Sequence, residues 1–173
     1  MKLIVGLGNP GNEHSSARHN AGWIILDNLF PGLDYQKFTD KSLVAKVKLG
    51  NENGMTLKPQ TYMNESGQSV VEVMNFYKIK KEDIVVLHDD VDLPLGTIRT
   101  TDNSSSAGHK GVQDIIEALG TQEFKRIRIG IGRPIDNTAT EDFVLQSFSQ
   151  AELEELEKLS PQIQEALTKI TQG

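Results

Sequence analysis

From Lys2 to Leu7 the chain is almost continuously apolar and is stopped by glycine and proline. The run is too short for a helix and reads as a buried strand. Ala21 to Phe30 (AGWIILDNLF) is apolar-rich and closed by Pro31-Gly32, which predicts a helix, whereas Asn9 to Asn20 before it is polar and reads as loop. Alternation through Leu43, Ala45, Val47 and Leu49, a turn at Asn51 to Gly54, and Met55 and Leu57 beyond it predict a β-hairpin. Val70, Val73, Met74 and Tyr77 fall at i, i+3, i+4, i+7, one face of a helix.

Ile84 to Leu87 is a second buried strand, and it runs directly into His88-Asp89-Asp90-Val91-Asp92. After the Pro94 to Gly96 turn, Thr97 to Thr101 reads as an edge strand. Val112, Ile115, Ile116 and Leu119 form another helix face ended by Gly120, and Arg126 to Gly132 alternates as a strand. Phe148-Ser149-x-x-Glu152-Leu153 combines a capping box with a hydrophobic staple, and Ser160-Pro161 is read as the cap of a last helix. Strands and helices alternate with one hairpin inserted and no repeat or linker. The expected fold is α/β, a single-domain three-layer sandwich over residues 1–173 with a mixed, mostly parallel β-sheet flanked by helices. Ligands of such sheets sit beyond the carboxyl ends of strands. The polar motifs after Leu7 and Leu87 lie at such ends, so their two loops are expected to share a cleft.

Composition narrows the chemistry. With 173 residues, 37% of them hydrophobic and 15 glycines, the chain is an ordinary globular one, not disordered or fibrous. The absence of cysteine removes disulfides, thiolate metal sites and a cysteine nucleophile, leaving histidine, serine and carboxylates. No apolar run approaches a bilayer span and no signal peptide is visible, so a soluble cytoplasmic protein with no membrane partner is expected. The net charge of −6 argues against a nucleic-acid partner until its distribution is read. Residues 141–173 hold seven acids against two lysines, a net of −5, which leaves −1 for residues 1–140. Within that part Lys110, Lys125, Arg126, Arg128 and Arg133 form either a positive patch or ordinary solvated faces.

Several constellations compete for a catalytic reading. Gly6-Leu7-Gly8-Asn9-Pro10-Gly11 matches G-x-G-x-x-G, but no amphipathic helix follows it, so a tight turn exposing Asn9 fits better than a dinucleotide site. Asp90 and Asp92 suggest a hard-metal site, yet no further ligand follows in Leu93 to Gly96. Ser104 to Ser106 lacks the strand-to-helix elbow of a serine nucleophile. Asn64 is either an N-cap or a site amide. His19, an acid at a strand end (Asp89), and Asn9 and Asn64 just past apolar segments supply a base, its orienter and amide donors, the parts of a hydrolytic site.

The motifs KLIVGLGNPG, RHNAGW, TYMNESG, HDDVDLPLG, GHKGVQDII and FKRIRIGIGRP, in this order and spacing over residues 2 to about 146, resemble the bacterial peptidyl-tRNA hydrolase family. The resemblance implies a monomeric α/β carboxylic ester hydrolase without metal or organic cofactor. Its partner is the acceptor stem and CCA end of peptidyl-tRNA. Its reaction hydrolyses the ester between an N-blocked aminoacyl or peptidyl group and the 3′-terminal ribose, recycling tRNA from stalled translation. By resemblance His19 is the catalytic base, Asp89 its partner, and Asn9 and Asn64 the positioning amides. Tyr62 and Met63 match the pocket beside Asn64, and Arg99 and Arg128 match positions that meet acceptor-stem phosphate. The sequence departs from the family pattern at Lys110, where asparagine is usual and which is read here as substrate-binding, at Thr101, where a second basic residue is usual, and in a short acidic C-terminal region. A non-catalytic RNA-binding relative of the same fold is the alternative.

Overall fold

The computed structural model describes residues 1–173. Along the chain lie β1 (Lys2–Gly6), α1 (Ala21–Leu29), β2 (Gln36–Thr39), β3 (Ser42–Leu49), β4 (Glu52–Pro59), α2 (Ser66–Tyr77), β5 (Ile84–Asp90), β6 (Ile98–Asp102), α3 (Lys110–Leu119), β7 (Lys125–Gly130), α4 (Thr140–Phe143), α5 (Gln150–Glu157) and α6 (Ser160–Gln172). The strands form one seven-stranded sheet in the order β2-β3-β4-β1-β5-β7-β6. The four central strands run parallel, while β2 and β3 on one rim and β6 on the other are antiparallel to their neighbours. The expected mostly parallel character therefore describes the centre of the sheet, and both rims depart from it.

Period-two alternation divides the strands between two cores, because successive side chains point to opposite faces. Ile4, Val85, Leu87, Ile127 and Ile129 face one layer with Ile25 and Leu26 of α1, Leu156 of α5 and Ile163 and Leu167 of α6. Leu3, Val5, Met55, Leu57, Ile84 and Val86 face the other with Val70 and Val73 of α2 and Val112 and Ile115 of α3.

Several elements differ from the sequence reading for identifiable reasons. β5 does not stop at Leu87 but continues through His88, Asp89 and Asp90, all buried, because β7 pairs with it as far as Gly130. Polar residues extend a buried strand when their partners are waiting, as they are here. β2 is too short and too polar to show periodicity, and α4 is a single turn. Asn9 to Asn20 is not plain loop: it contains 3-10 turns at Asn12–His14 and Arg18–Asn20. Ser149 and Glu152 form the expected capping box. Ser160 does not cap the last helix, since Leu159 occupies that place and Ser160 is already helical.

The basic cluster is not a shared surface patch. Arg126 is 2% exposed and donates to Ser104 O, Ser104 Oγ and Ser105 O. Lys125 donates to Ile170 O and Arg133 pairs with Asp92. Asp90 takes Arg128 and the Asp92 N–H, so these acids serve the turn and the sheet and do not form the hard-metal site considered above.

Helix α1 packs on the sheet through backbone, at Gly22. A methyl group there would land on Leu87 O and 2.5 Å from Leu7 N, the two atoms that join β1 to β5 beyond the regular ladder. Gly22→Ala therefore has no flexible neighbour to displace. It is expected to cost about 3 kcal/mol, the upper range for overpacking, seen as a fall in Tm of roughly 6–12 °C for a chain of this size in a thermal melt.

Candidate active site

The chain leaves β1 through Gly8, where any side chain would meet the Trp23 ring at 2.7 Å, and so arrives at Asn9 close against α1. Asn20 then clamps Asn9 from both ends of its peptide unit. The Asn9 N–H donates to Asn20 Oδ1 at 2.9 Å and Asn20 Nδ2 donates to Asn9 O at 3.0 Å. Asn9 Oδ1 accepts from the Met63 N–H at 2.8 Å, which fixes the carboxamide and leaves its Nδ2 hydrogens for a ligand. Asn20 is fully buried and was not singled out in the sequence; its signal was only its place beside His19.

His19 sits in the turn Arg18–Asn20 just before α1, and its Nδ1 lies 2.8 Å from Asp89 Oδ2 at the end of β5. Asp89 is buried, and its other oxygen lies 2.8 Å from His109 Nε2. His109 is the N-cap of α3: its Nδ1 accepts the N–H groups of Gly111 and Val112 at 3.1 and 3.3 Å. That nitrogen is therefore unprotonated, and Nε2 carries the hydrogen donated to Asp89. His109 was legible only as part of GHKG; a histidine acting at once as helix cap and carboxylate donor has no spacing signature. Beside it, burial pushes His88 well below its ordinary value and keeps it neutral, its Nδ1–H donating to Asp89 O and its ring edge-on to His109 at 4.9 Å.

Electrostatics follow from this triangle. Burial alone would raise Asp89, but the two imidazoles hold it well below the usual carboxylate range. Burial alone would lower His19, but the Asp89 charge and hydrogen bond outweigh it, with Lys110 pulling the other way, so His19 lies above its ordinary 6.5. With Nδ1–H committed to Asp89, Nε2 is the free basic nitrogen of His19. Ligand atoms of His19, Asp89 and His109 lie within 4.8 Å of one another, and His19 Nδ1 and His109 Nε2 are both turned onto Asp89.

The remaining sequence-derived residues divide by position. Asn64 lies in the turn Met63–Glu65, exposed and with no hydrogen bond from its side chain to protein; Glu65, not Asn64, stands at the start of α2, so the N-cap reading fails. Tyr62 is 70% exposed. Met63, a pocket position by resemblance, has its side chain buried in the core against Gly111, and its N–H reaches the site through Asn9. Lys110 opens α3, exposed and without an ion pair, close enough to His19 to act on its charge. Arg99 and Arg128 face each other across β6 and β7, on the far side of β5 from β1. Arg128 donates to Asp90 at 2.5 Å, while Arg99 is exposed and unpaired.

A sequence profile described as Peptidyl-tRNA hydrolase matches residues 3–173. The chain belongs to the peptidyl-tRNA hydrolase family. Among curated peptidyl-tRNA hydrolases, that of Mesoplasma florum is 44% identical over 100% of this chain and 94% of its own length. That of Brevibacillus brevis is 43% identical over 91% of this chain and 85% of its own. The crystal structure of peptidyl-tRNA hydrolase from Acinetobacter baumannii is similar at a TM-score of 0.89 with 33% identity, covering 100% of this chain and 89% of that one. The α/β fold with its mixed sheet is thus the peptidyl-tRNA hydrolase fold, as the motifs implied.

The triangle makes a signed prediction. NMR titration should place the His19 midpoint above 6.5 in the native protein. In Asp89→Asn the supporting charge is gone while burial and Lys110 remain, so the midpoint should fall below 6.5.

Proposed function

We propose that this peptidyl-tRNA hydrolase cleaves the ester between the peptidyl group and the terminal ribose of tRNA by general-base activation of water, with His19 as the base. The observation that carries the reading is the His19 Nδ1–Asp89 contact at 2.8 Å, which fixes the tautomer and leaves Nε2 to take a proton. Water gives that proton to His19 Nε2 as its oxygen attacks the ester carbonyl carbon, and negative charge moves to the carbonyl oxygen. Asn9 Nδ2, pre-oriented by Met63 and Asn20, positions the water. Asn64, with no partner in the protein, donates to the oxyanion. Collapse breaks the carbon–ribose oxygen bond, and the proton held on His19 passes to the departing ribose oxygen. Asp89 stabilises the imidazolium in between.

Arg99, Arg128 and Lys110 hold the acceptor stem and CCA end by charge, contacts that position the substrate without reading bases. Tyr62, exposed beside Asn64, borders the peptidyl side; Met63 contributes its backbone. The whole chain acts as one domain and as a monomer in the cytoplasm, without metal or organic cofactor. No helix is long and apolar enough to cross a membrane.

The direct test is release of free tRNA from an N-blocked aminoacyl-tRNA by purified protein, with and without EDTA. Release should be unaffected by EDTA, and His19→Ala should lower kcat by roughly 10²-fold or more, the scale of general-base catalysis. Because the base must be neutral, kcat/KM should fall as pH drops through a value above 6.5, following the raised His19. Full activity in His19→Ala overturns the assignment.

Charge-mediated binding has its own signature. KM should rise with salt while kcat changes little, and Arg99→Gln should flatten the slope of log KM against log salt by roughly 0.9 if it loses one duplex phosphate contact. Lys110→Asn should raise KM with kcat nearly intact. A loss of kcat at unchanged KM would instead place Lys110 in the transition state.

A further inference from the structure

The turn that carries His19 is held from one side by a segment far along the chain. Ala17 bridges Ser147 in antiparallel fashion, the Phe148 N–H donates to Ser16 O at 2.8 Å, and the Arg18 N–H donates to Gln146 O at 3.0 Å. The His19 N–H itself donates to Val144 O at 2.7 Å. The N–H of the base is therefore hydrogen-bonded to the segment after β7.

Arg18 holds this seam shut. Its Nη1 donates to Ser147 O at 2.6 Å and its Nη2 to both oxygens of Glu152 at 3.1 and 3.2 Å. Its guanidinium lies over Phe143 and Phe148, 4.6 and 5.3 Å from their ring centres, and the side chain is only 11% exposed. Glu152 is in turn fixed by the capping box of α5, accepting from the Ser149 N–H at 2.9 Å, and α5 is rooted in the core through Leu156. One carboxylate thus closes a helix end and grips an arginine fork.

We infer that Arg18 is a positioning residue for His19, acting with Glu152 as a latch that sets the height of the catalytic turn over Asp89. The inference rests on the reading of His19 as the base. Every side-chain hydrogen bond of Arg18 goes to the C-terminal segment and none to the triangle, so it acts through the backbone of its neighbour. Displacements near 1 Å at a reacting group cost up to about 10²-fold in rate, and the His19–Asp89 hydrogen bond is lost over a similar distance.

The test uses Arg18→Met, which keeps a stem to lie over the two phenylalanines but removes charge and donors, and Glu152→Gln, each assayed well below its own Tm. kcat should fall about tenfold in each with KM unchanged, and the double variant should be no worse than the poorer single one. NMR titration of His19 without substrate supplies a readout independent of catalysis. The groups facing His19 are Asp89 from β5 and His109 and Lys110 from the start of α3. Removing a positive charge next to His19 would by itself move its midpoint up. Loosened contact with Asp89 moves it down, which is the result expected for Arg18→Met. A folded Arg18→Met variant with full kcat, a defect confined to KM, or a His19 midpoint that is unchanged or rises overturns the latch. Retained activity in His19→Ala would overturn the base assignment instead, while the titration still reports on the latch.

Discussion

A carboxylate buried as deeply as Asp89 costs several kcal/mol unless each oxygen is matched by a donor. Both donors come from loops and not from the sheet: His19 from the turn entering α1, on one face, and His109 from the first residue before α3, on the other. The charge at the tip of β5 therefore draws the two helical layers together over one strand end. If either loop is out of place, an oxygen of Asp89 is left without a partner in a dry site. The contact through which we propose that His19 is readied for proton transfer is the same one that makes burial of Asp89 tolerable.

The layered fold was readable because its central strands β1 and β5 are short continuous apolar runs, and because α1, α2 and α3 show one apolar face each. What escaped was polar structure whose cause lies elsewhere in the chain. The last three residues of β5 look like loop until Arg128 and the two imidazoles are seen to satisfy them. His19, Asp89 and Asn9 stand beside glycine turns and strand ends, where function concentrates, and so could be named from sequence. Asn20 and His109 could not be told from their neighbours, since a buried clamp and a capping imidazole are defined only by what they touch. Met63 shows the opposite case: next to the site in sequence, its side chain is buried in the core while its N–H holds the Asn9 carboxamide.

The cations tell a similar story of appearance against use. Of the basic residues that cluster in sequence around β7, Arg126 is consumed inside the protein, fastening Ser104 and Ser105 of the loop that leads to His109, and Arg128 shares its charge with Asp90. The basic residues around β7 therefore do not make a broad basic face. Arg99 and Lys110 are exposed and without an ion pair, and these are the positions to which we assign attraction for a polyanion.

The parallel centre of the sheet gives the molecule two unlike poles. The carboxyl ends of β1, β4 and β5 all open toward the triangle, so the turn between β3 and β4 at Gly50, which enters β4 from its amino end, lies at the opposite pole. Gly50 has a positive φ and nothing packed against its Cα. A fluorophore, a surface tether or an inserted peptide placed there would hang from the quiet pole, giving a handle for immobilising or tracking the enzyme with its His19–Asp89–His109 triangle facing outward.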